Sequence, residues 1–302
     1  PACTSVGSPK RPANHSRTAS DMPANGASGP LDVGSWVNGH LLTPPHIIGG
    51  MSAYVDDDIL TLRLAQGTGE ILKGVRNVGL LRGRVLGDAG DALSQEWIAR
   101  VLDQHRPDDA VLSEEAADNH DRLDHDRVWI IDPLDGTREF AGGRQDWAVH
   151  IALIENGVPV HAAVGLPDLG QVFHTGEAKA VTGPMSGRIV VSRTRPPAVA
   201  KHVAEKLNLE TKELGSAGAK AMHVLLGDYD AYIHAGGQYE WDSAAPVGVC
   251  KSAGLHVSRL DGSEPKYNNP DTFMPDMLYC RPELADDILA AVAEFKETNG
   301  NY

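Results

Sequence analysis

Asp132 and Asp135 flank Pro133-Leu134 at the end of the apolar run VWII, and Gly136 and Thr137 follow directly. Two carboxylates this close repel each other, so a chain that keeps both at the end of a buried strand calls for a cation between them. Pro133 offers no N–H and holds Asp132 extended, which predicts that the strand stops there. Asp135-Gly136 then permits a tight turn, and Thr137 opens a short helix. In that arrangement both carboxylates converge beside the Leu134 carbonyl, and hard oxygen ligands of this kind suit Mg²⁺ or Mn²⁺. The N–H groups of Gly136 and Thr137 can meet a phosphate at the helix start. The competing reading is a plain capped turn, for which Asp and Gly are the default residues.

Other acids also end apolar segments. Glu114 and Glu115 follow AVLS, where a solvated loop is the alternative. Asp242 follows Trp241 and opens the helix SAAPVGV, where an N-cap is the alternative, with Pro246 in the first turn. Asp88 and Asp91 in LGDAGDALS have the look of helix caps. A haloacid-dehalogenase-type aspartyl nucleophile also displays Asp-Gly-Thr, but it spaces its acids i and i+2 rather than i and i+3 with proline between. A cation-binding regulatory module is the non-enzymatic alternative.

The elements that must position these acids follow from periodicity. Residues 56–76 place Ile59, Leu60, Leu62, Leu64, Ile71, Leu72 and Val75 on one broad helical face. Residues 91–103 form a second helix with Leu93, Trp97, Ile98 and Val101 inward. Short strands are predicted at 109–116 and 127–132, and WAVHIALIENGVPVHAAVGLP reads as a hairpin turning at Asn156-Gly157. GQVFHTGE adds a strand. Beyond Gly183 the pattern alternates: strand GRIVVS, helices PPAVAKHVAEKLN and AKAMHVLLG, strand YDAYIHA, the helix after Asp242, strands LHVSRL and DMLYC, and a final helix PELADDILAAVAEFKE. The expectation is an α/β protein, α+β in its N-terminal half (51–185) and α/β in its C-terminal half (186–302). Residues 1–50 are rich in Pro, Gly, Ser and Asn without period and read as a disordered extension, with Met51 an alternative start.

The chain has 302 residues, 41% hydrophobic and 23% charged, enough for a sizeable core. A formal net charge of −14 argues against binding nucleic-acid polymers or anionic membranes, although bound cations can invert the field at a phosphate site. Cys3, Cys250 and Cys280 are too scattered for a disulfide framework and read as thiols in a reducing cytoplasm. No apolar run is long enough for a membrane span, and the start has no signal-peptide pattern.

Glu114, DPLDGT and WDSAAP, in this order and spacing, resemble the inositol monophosphatase superfamily of lithium-sensitive, magnesium-dependent phosphomonoesterases over residues 55–298. The resemblance implies a layered α/β/α/β/α fold and a reaction in which metal-activated water attacks phosphorus, with no phosphoenzyme. It implies that Glu114, Asp132 and the Leu134 carbonyl hold one Mg²⁺, and that Asp132, Asp135 and Asp242 hold a second. A third ion, Mn²⁺ substitution and a homodimer are all admissible within the family. Asp91 and Thr137 match the pair that orients and deprotonates the water; here GDAGD replaces the usual Thr-x-x-Asp, so Asp88 competes with Asp91, and helix register from Asp91 to Ile98 favours Asp91. DPLDGTREF is similar to the nucleotide branch, the bacterial CysQ-type enzymes that convert 3′-phosphoadenosine 5′-phosphate to AMP and phosphate and so clear a by-product of sulfate assimilation. Inositol 1-phosphate or fructose 1,6-bisphosphate is the alternative substrate. In that branch GSAGAKAM lines the nucleoside side, which implies Ser216 and Lys220 as contacts. Arg193 and Arg195 are candidates for the second phosphate unless they are plain surface charge. His234, Tyr239 and Trp241 can flank a base, although core packing competes at Trp241.

Overall fold

The computed structural model describes residues 55–180 and 182–302. The extension expected over 1–50, Met51 and Cys3 lie outside the described residues. Helix α1 (Asp57–Asn77) begins where the Asp56 side chain accepts the Ile59 N–H. Leu60, Leu64 and Leu72 are buried along it. Helix α2 (Arg84–His105) starts well before the expected residue 91, so Asp88 and Asp91 lie inside the helix rather than capping it. The glycines that weakened the helical signal are the reason it fits. A Cβ at Gly87 would come 2.8 Å from Thr137 Cγ2, and one at Gly90 would come 3.0 Å from Phe140. Glycine lowers helix propensity but lets α2 lie directly against the Asp-Gly-Thr turn. Leu93, expected inward, is 49% exposed; Ser94, Ile98 and Leu102 form the buried face instead.

Strands β1 (Ala110–Ser113), β2 (Arg127–Asp135), β3 (Ala148–Glu155), β4 (Val158–Leu166) and β5 (Gln171–His174) form one sheet in that order, with helix α3 (Thr137–Ala141) following β2. β1 and β2 are parallel; the other pairs are antiparallel. Asn156 and Gly157 turn the β3–β4 hairpin with φ of 50° and 77°, the left-handed pair such a turn needs.

The chain continues through β6 (Arg188–Ser192), α4 (Ala198–Leu207), β7 (Glu210–Leu214), α5 (Ala217–Leu225), β8 (Ala231–Tyr239), α6 (Glu240–Ser252), β9 (His256–Ser258), β10 (Phe273–Cys280) and α7 (Ala285–Asn299). The second sheet has the order β7-β6-β8-β10-β9. β6 runs parallel to β7 and β8, whereas β10 is antiparallel to β8 and β9. β7 was missed in sequence because ETKEL is a polar edge strand with no apolar alternation.

Alternation along the strands sets the layers. Trp129, Ile131, Val149, Ile151 and Leu153 pack with Leu64, Leu72 and Ile98 of α1 and α2. Their neighbours Val128, Ile130, Ala152 and Ile154 face the other way, onto α5 and α6, which also meet Tyr232, Met277 and Tyr279 of the second sheet. Ile189, Ile233 and Leu278 point outward again, onto α4 and α7. The result is the α/β/α/β/α order implied by the resemblance, with α5 and α6 between the sheets. No helix among the described residues is long and apolar enough to cross a membrane.

A candidate metal centre and its cleft

The acids of β2 occupy a break in the ladder. Asp132 pairs with His150 and Asp135 with Ala148, and the register shifts between them. The strand therefore does not stop at Asp132 as expected; it resumes at Asp135. Pro133 cannot donate, and the Leu134 N–H is satisfied locally by Asp132 Oδ1 at 3.0 Å, so the gap leaves this donor paired. Gly136 has φ of 91°, and a Cβ there would meet the Asp146 carbonyl, Ser216 Cβ and Trp147 Cα, each at 3.3 Å.

Asp242 arrives from the far side of the sequence on α6. That helix starts at Glu240, so Asp242 is its third residue and not an N-cap; its Oδ2 accepts the Tyr239 N–H at 2.6 Å. The earlier start also puts Pro246 in the helix interior rather than the first turn. Without an N–H, Pro246 leaves the Asp242 carbonyl no i+4 partner. Oxygens of Asp132, Asp135 and Asp242 all lie within 4.8 Å of one another. Glu114, just beyond β1, lines the same cleft outside the trio, close enough for its charge to act on Asp132.

The charges here suit a cation. Burial and then Glu114, Asp135 and Asp242 push Asp132 well above the usual carboxylate range. Burial and Asp242 raise Glu114 to about 7, and burial and Asp135 raise Asp242 to about 6. Each is a carboxylate resisting ionisation beside others, the condition a divalent ion relieves. Asp135 differs. Burial alone would raise it, but His150, Lys220 and Ser216 hold it below the usual range. Its Oδ2 accepts from Ser216 Oγ at 2.5 Å and the Gly218 N–H at 2.8 Å, with His150 Nε2 3.3 Å away.

His150 was not singled out from sequence. It is fully buried, and its Nδ1–H donates to the Trp241 carbonyl at 3.0 Å, tying the Asp135 turn to the start of α6. The signal was present: a lone histidine shares the strand face of Ala148 and Ala152 in an otherwise apolar stretch.

On the opposite side of the Asp-Gly-Thr turn, Thr137 Oγ1 lies 3.2 Å from the Leu134 carbonyl and 3.5 Å from Asp91 Oδ1. Burial, then Glu115, raises Asp91 to about 7. Asp88 points away, with its carboxylate 3.5 Å from Arg84 on the exposed side of α2. Of the two competing acids, Asp91 is the one beside Thr137.

A cleft of about 390 Å³ runs from Glu114, Asp135 and Asp242 past Ser216 and Lys220. Lys220 is buried, donates to the carbonyls of Gly215 and Ser216 at 3.2 and 2.5 Å, and lies 5.0 Å from the centre of the Tyr232 ring. Burial lowers it to about 8 against the pull of Asp135 and Asp242. The two arginines part ways: Arg193 is ion-paired with buried Glu139, whereas Arg195 is exposed at the cleft with no ion pair among the described residues. Trp241 is half-buried, as core packing would have it, yet it also lines the cleft, where it stacks on Tyr239 with centroids 4.9 Å apart.

Comparison with known proteins gives a consistent picture. Residues 64–297 match the pattern of the inositol monophosphatase family. The chain is 49% identical over 258 residues to a 3′-phosphoadenosine 5′-phosphate phosphatase of Mycobacterium leprae, covering 80% of this chain and 95% of that protein. It is 32% identical over 199 residues to the 3′(2′),5′-bisphosphate nucleotidase CysQ of Escherichia coli K12, covering 62% and 81%. Among solved structures, inositol monophosphatase-II of Staphylococcus aureus superposes with a TM-score of 0.67 at 20% identity, over 79% of this chain and 96% of that one. An inositol monophosphatase of Zymomonas mobilis gives 0.64 at 22%, over 80% and 100%. At these identities the structural likeness speaks for the fold.

Proposed function

This chain belongs to the inositol monophosphatase family, and from that premise we propose that it is a magnesium-dependent phosphomonoesterase converting 3′-phosphoadenosine 5′-phosphate to AMP and phosphate. The observation that carries the reading is the convergence of Asp132, Asp135 and Asp242 from two distant stretches of chain. Their raised or strongly supported carboxyls fit divalent ions: Glu114, Asp132 and the Leu134 carbonyl offer one donor set, and Asp132, Asp135 and Asp242 the other. Two Mg²⁺ ions, replaceable by Mn²⁺, would occupy them. When bound, such ions supply positive charge to the phosphoryl oxygens and acidify water.

The chain's own groups do the rest. Thr137 Oγ1, held between the Leu134 carbonyl and Asp91, orients the attacking water. Asp91 takes its proton; a carboxyl raised to about 7 by burial is matched to that task at neutral pH. Gly136 and Thr137 present N–H groups to the phosphate at the start of α3. Ser216 spans the two halves of the site through its bond to Asp135, and Lys220 fixes the Gly215-Ser216 turn while adding positive charge beside the substrate. Arg195, exposed at the cleft without an ion pair among the described residues, would meet the second phosphate. Free, buried Cys250 and Cys280 suit a reducing cytoplasm.

The test is phosphate release from 3′-phosphoadenosine 5′-phosphate, inositol 1-phosphate and fructose 1,6-bisphosphate under one set of conditions. The nucleotide should have the highest kcat/KM. A strong preference for either sugar ester would overturn the substrate assignment while leaving the phosphatase in place.

A further inference from the structure

Tyr239 and Phe273 are, among the described residues, the aromatic side chains left exposed, at 47% and 49%. They are also neighbours. Tyr239 ends β8 and pairs directly with Phe273, which opens β10, so both side chains stand on one face of the sheet. Both line the cleft that holds the carboxylates. Single exposed apolar residues are ordinary, but two adjoining rings on the wall of a cleft make a patch suited to binding.

What the patch can bind follows from how its rings are set. Trp241 stacks on Tyr239, with centroids 4.9 Å apart and planes 16° from parallel, and so covers one of its faces. The exposed part of Tyr239 is therefore its other face and its rim. Phe273 stands almost upright to Tyr239, at 81° with centroids 6.3 Å apart. Two rings at right angles form a corner in which a flat ring lies on one face and meets the edge of the other, the two arrangements that aromatic quadrupoles favour. Gly237 makes room for the corner: a Cβ there would come 2.5 Å from Phe273 Cε2. Of the residues expected to flank a base, His234 is buried and Trp241 is half-buried against Tyr239, whereas Phe273 was not foreseen from sequence.

The corner is fixed to the metal centre. The Tyr239 N–H donates to Asp242 Oδ2 at 2.6 Å, and the Glu240 N–H donates to the Thr272 carbonyl at 2.9 Å, which ties the start of β10 to the first turn of α6. A substrate whose phosphate lies at the carboxylates thus has an aromatic shelf within the same cleft. We propose that Tyr239 and Phe273 stack the base of the nucleotide substrate, and that this shelf selects esters carrying an aromatic ring over sugar esters without one. This rests on the adenosine bisphosphate reading given above. Stacking needs a π face and no particular pattern of donors and acceptors, so the shelf is blind to which purine it holds. Inositol and fructose phosphates offer it only hydroxylated carbons, which would lose water against apolar rings without a hydrogen bond in return.

The experiment compares kcat/KM for adenosine 3′,5′-bisphosphate, inosine 3′,5′-bisphosphate and the base-free 1-O-methylribose 3,5-bisphosphate in wild type, Tyr239→Ala, Phe273→Ala, Phe273→Leu and Phe273→Trp. Ratios within one preparation do not change with the fraction folded, so a merely structural role would not move them. Both alanine variants should lower the ratio of adenosine to base-free substrate by about 5- to 140-fold, with inosine falling alongside adenosine, and Phe273→Trp should keep the ratio. Either alanine variant holding the wild-type ratio would overturn the shared shelf, as would a fall for adenosine alone. So would Phe273→Leu keeping the ratio as well as Phe273→Trp, since the contact would then be one of apolar bulk. Wild type that hydrolyses inositol 1-phosphate but neither nucleotide removes the nucleotide reading itself, a result distinct from nucleotide turnover that ignores both rings.

Discussion

Asp132 and Asp135 stood out as acids ending the apolar run VWII, whereas Asp242, an N-cap when read alone, was legible only through the order and spacing it shares with Glu114 and DPLDGT. Asp91 over Asp88 was favoured by helix register toward Ile98, and of the two it is Asp91 that lies beside Thr137 while Asp88 lies beside Arg84. His150 was missed because its role depends on which carbonyl lies opposite its ring. Two predictions belong at this scale. Gly218→Ala would bring a Cβ within 2.0 Å of His150 Nε2, so it should destabilise the protein by about 2–4 kcal/mol in urea titrations and weaken Mg²⁺ activation through Asp135. His234 gives a pH dependence. Burial puts its folded value at about 4, below the ~6.5 of an exposed imidazole, so between those values the unfolded chain binds more protons and stability falls as the pH falls. Across that window wild type should lose about 3 kcal/mol relative to His234→Phe, measured by denaturation of both proteins at each pH. Parallel pH profiles would contradict the assignment.

Helices and strands place these residues, and here the sequence was a partial guide. The β3–β4 hairpin and the body of α1 followed from Asn156-Gly157 and the leucine spacing. The starts of α2 and α6 did not. In α2, Gly87 and Gly90 hide the helix while allowing its close approach; in α6, an interior Pro246 disguises a helix that has already made a turn. The first turn of α6 is held by Glu240, a fully buried carboxylate that accepts from the Asn268 N–H at 2.7 Å, the Asn269 N–H at 2.9 Å and Asn269 Nδ2 at 2.7 Å. Glu240→Ala would leave these donors without their acceptor and should cost about 2–4 kcal/mol, with Glu240→Gln costing less. Because Asp242 lies on the same turn, Glu240→Ala should also raise the Mg²⁺ concentration needed for half-maximal activity. An unchanged half-saturation would separate the clamp from the metal centre.

At the scale of the whole molecule, periodicity allowed α+β followed by α/β, while the five-layer order came from family resemblance alone. Local patterns show which face of a strand is apolar; they do not show that α6, beyond the proposed boundary near residue 185, covers the sheet before it. Since α5 and α6 pack on both sheets, thermal unfolding of the described region should be one cooperative transition, and two resolved transitions in calorimetry would contradict this shared core. The net charge of −14 sets the electrostatic problem: an acidic protein would repel a phosphate ester, and cations held by the carboxylate cluster would offset that repulsion. The most direct test is phosphate release from 3′-phosphoadenosine 5′-phosphate by metal-stripped protein as Mg²⁺ is returned, run beside Asp132→Asn and Asp242→Asn. Wild type should go from no turnover to a saturating rate, with both variants reduced at least about 1000-fold at the highest Mg²⁺ concentration. Turnover in the presence of chelator, or a wild-type rate from either variant, would contradict a centre built from these carboxylates.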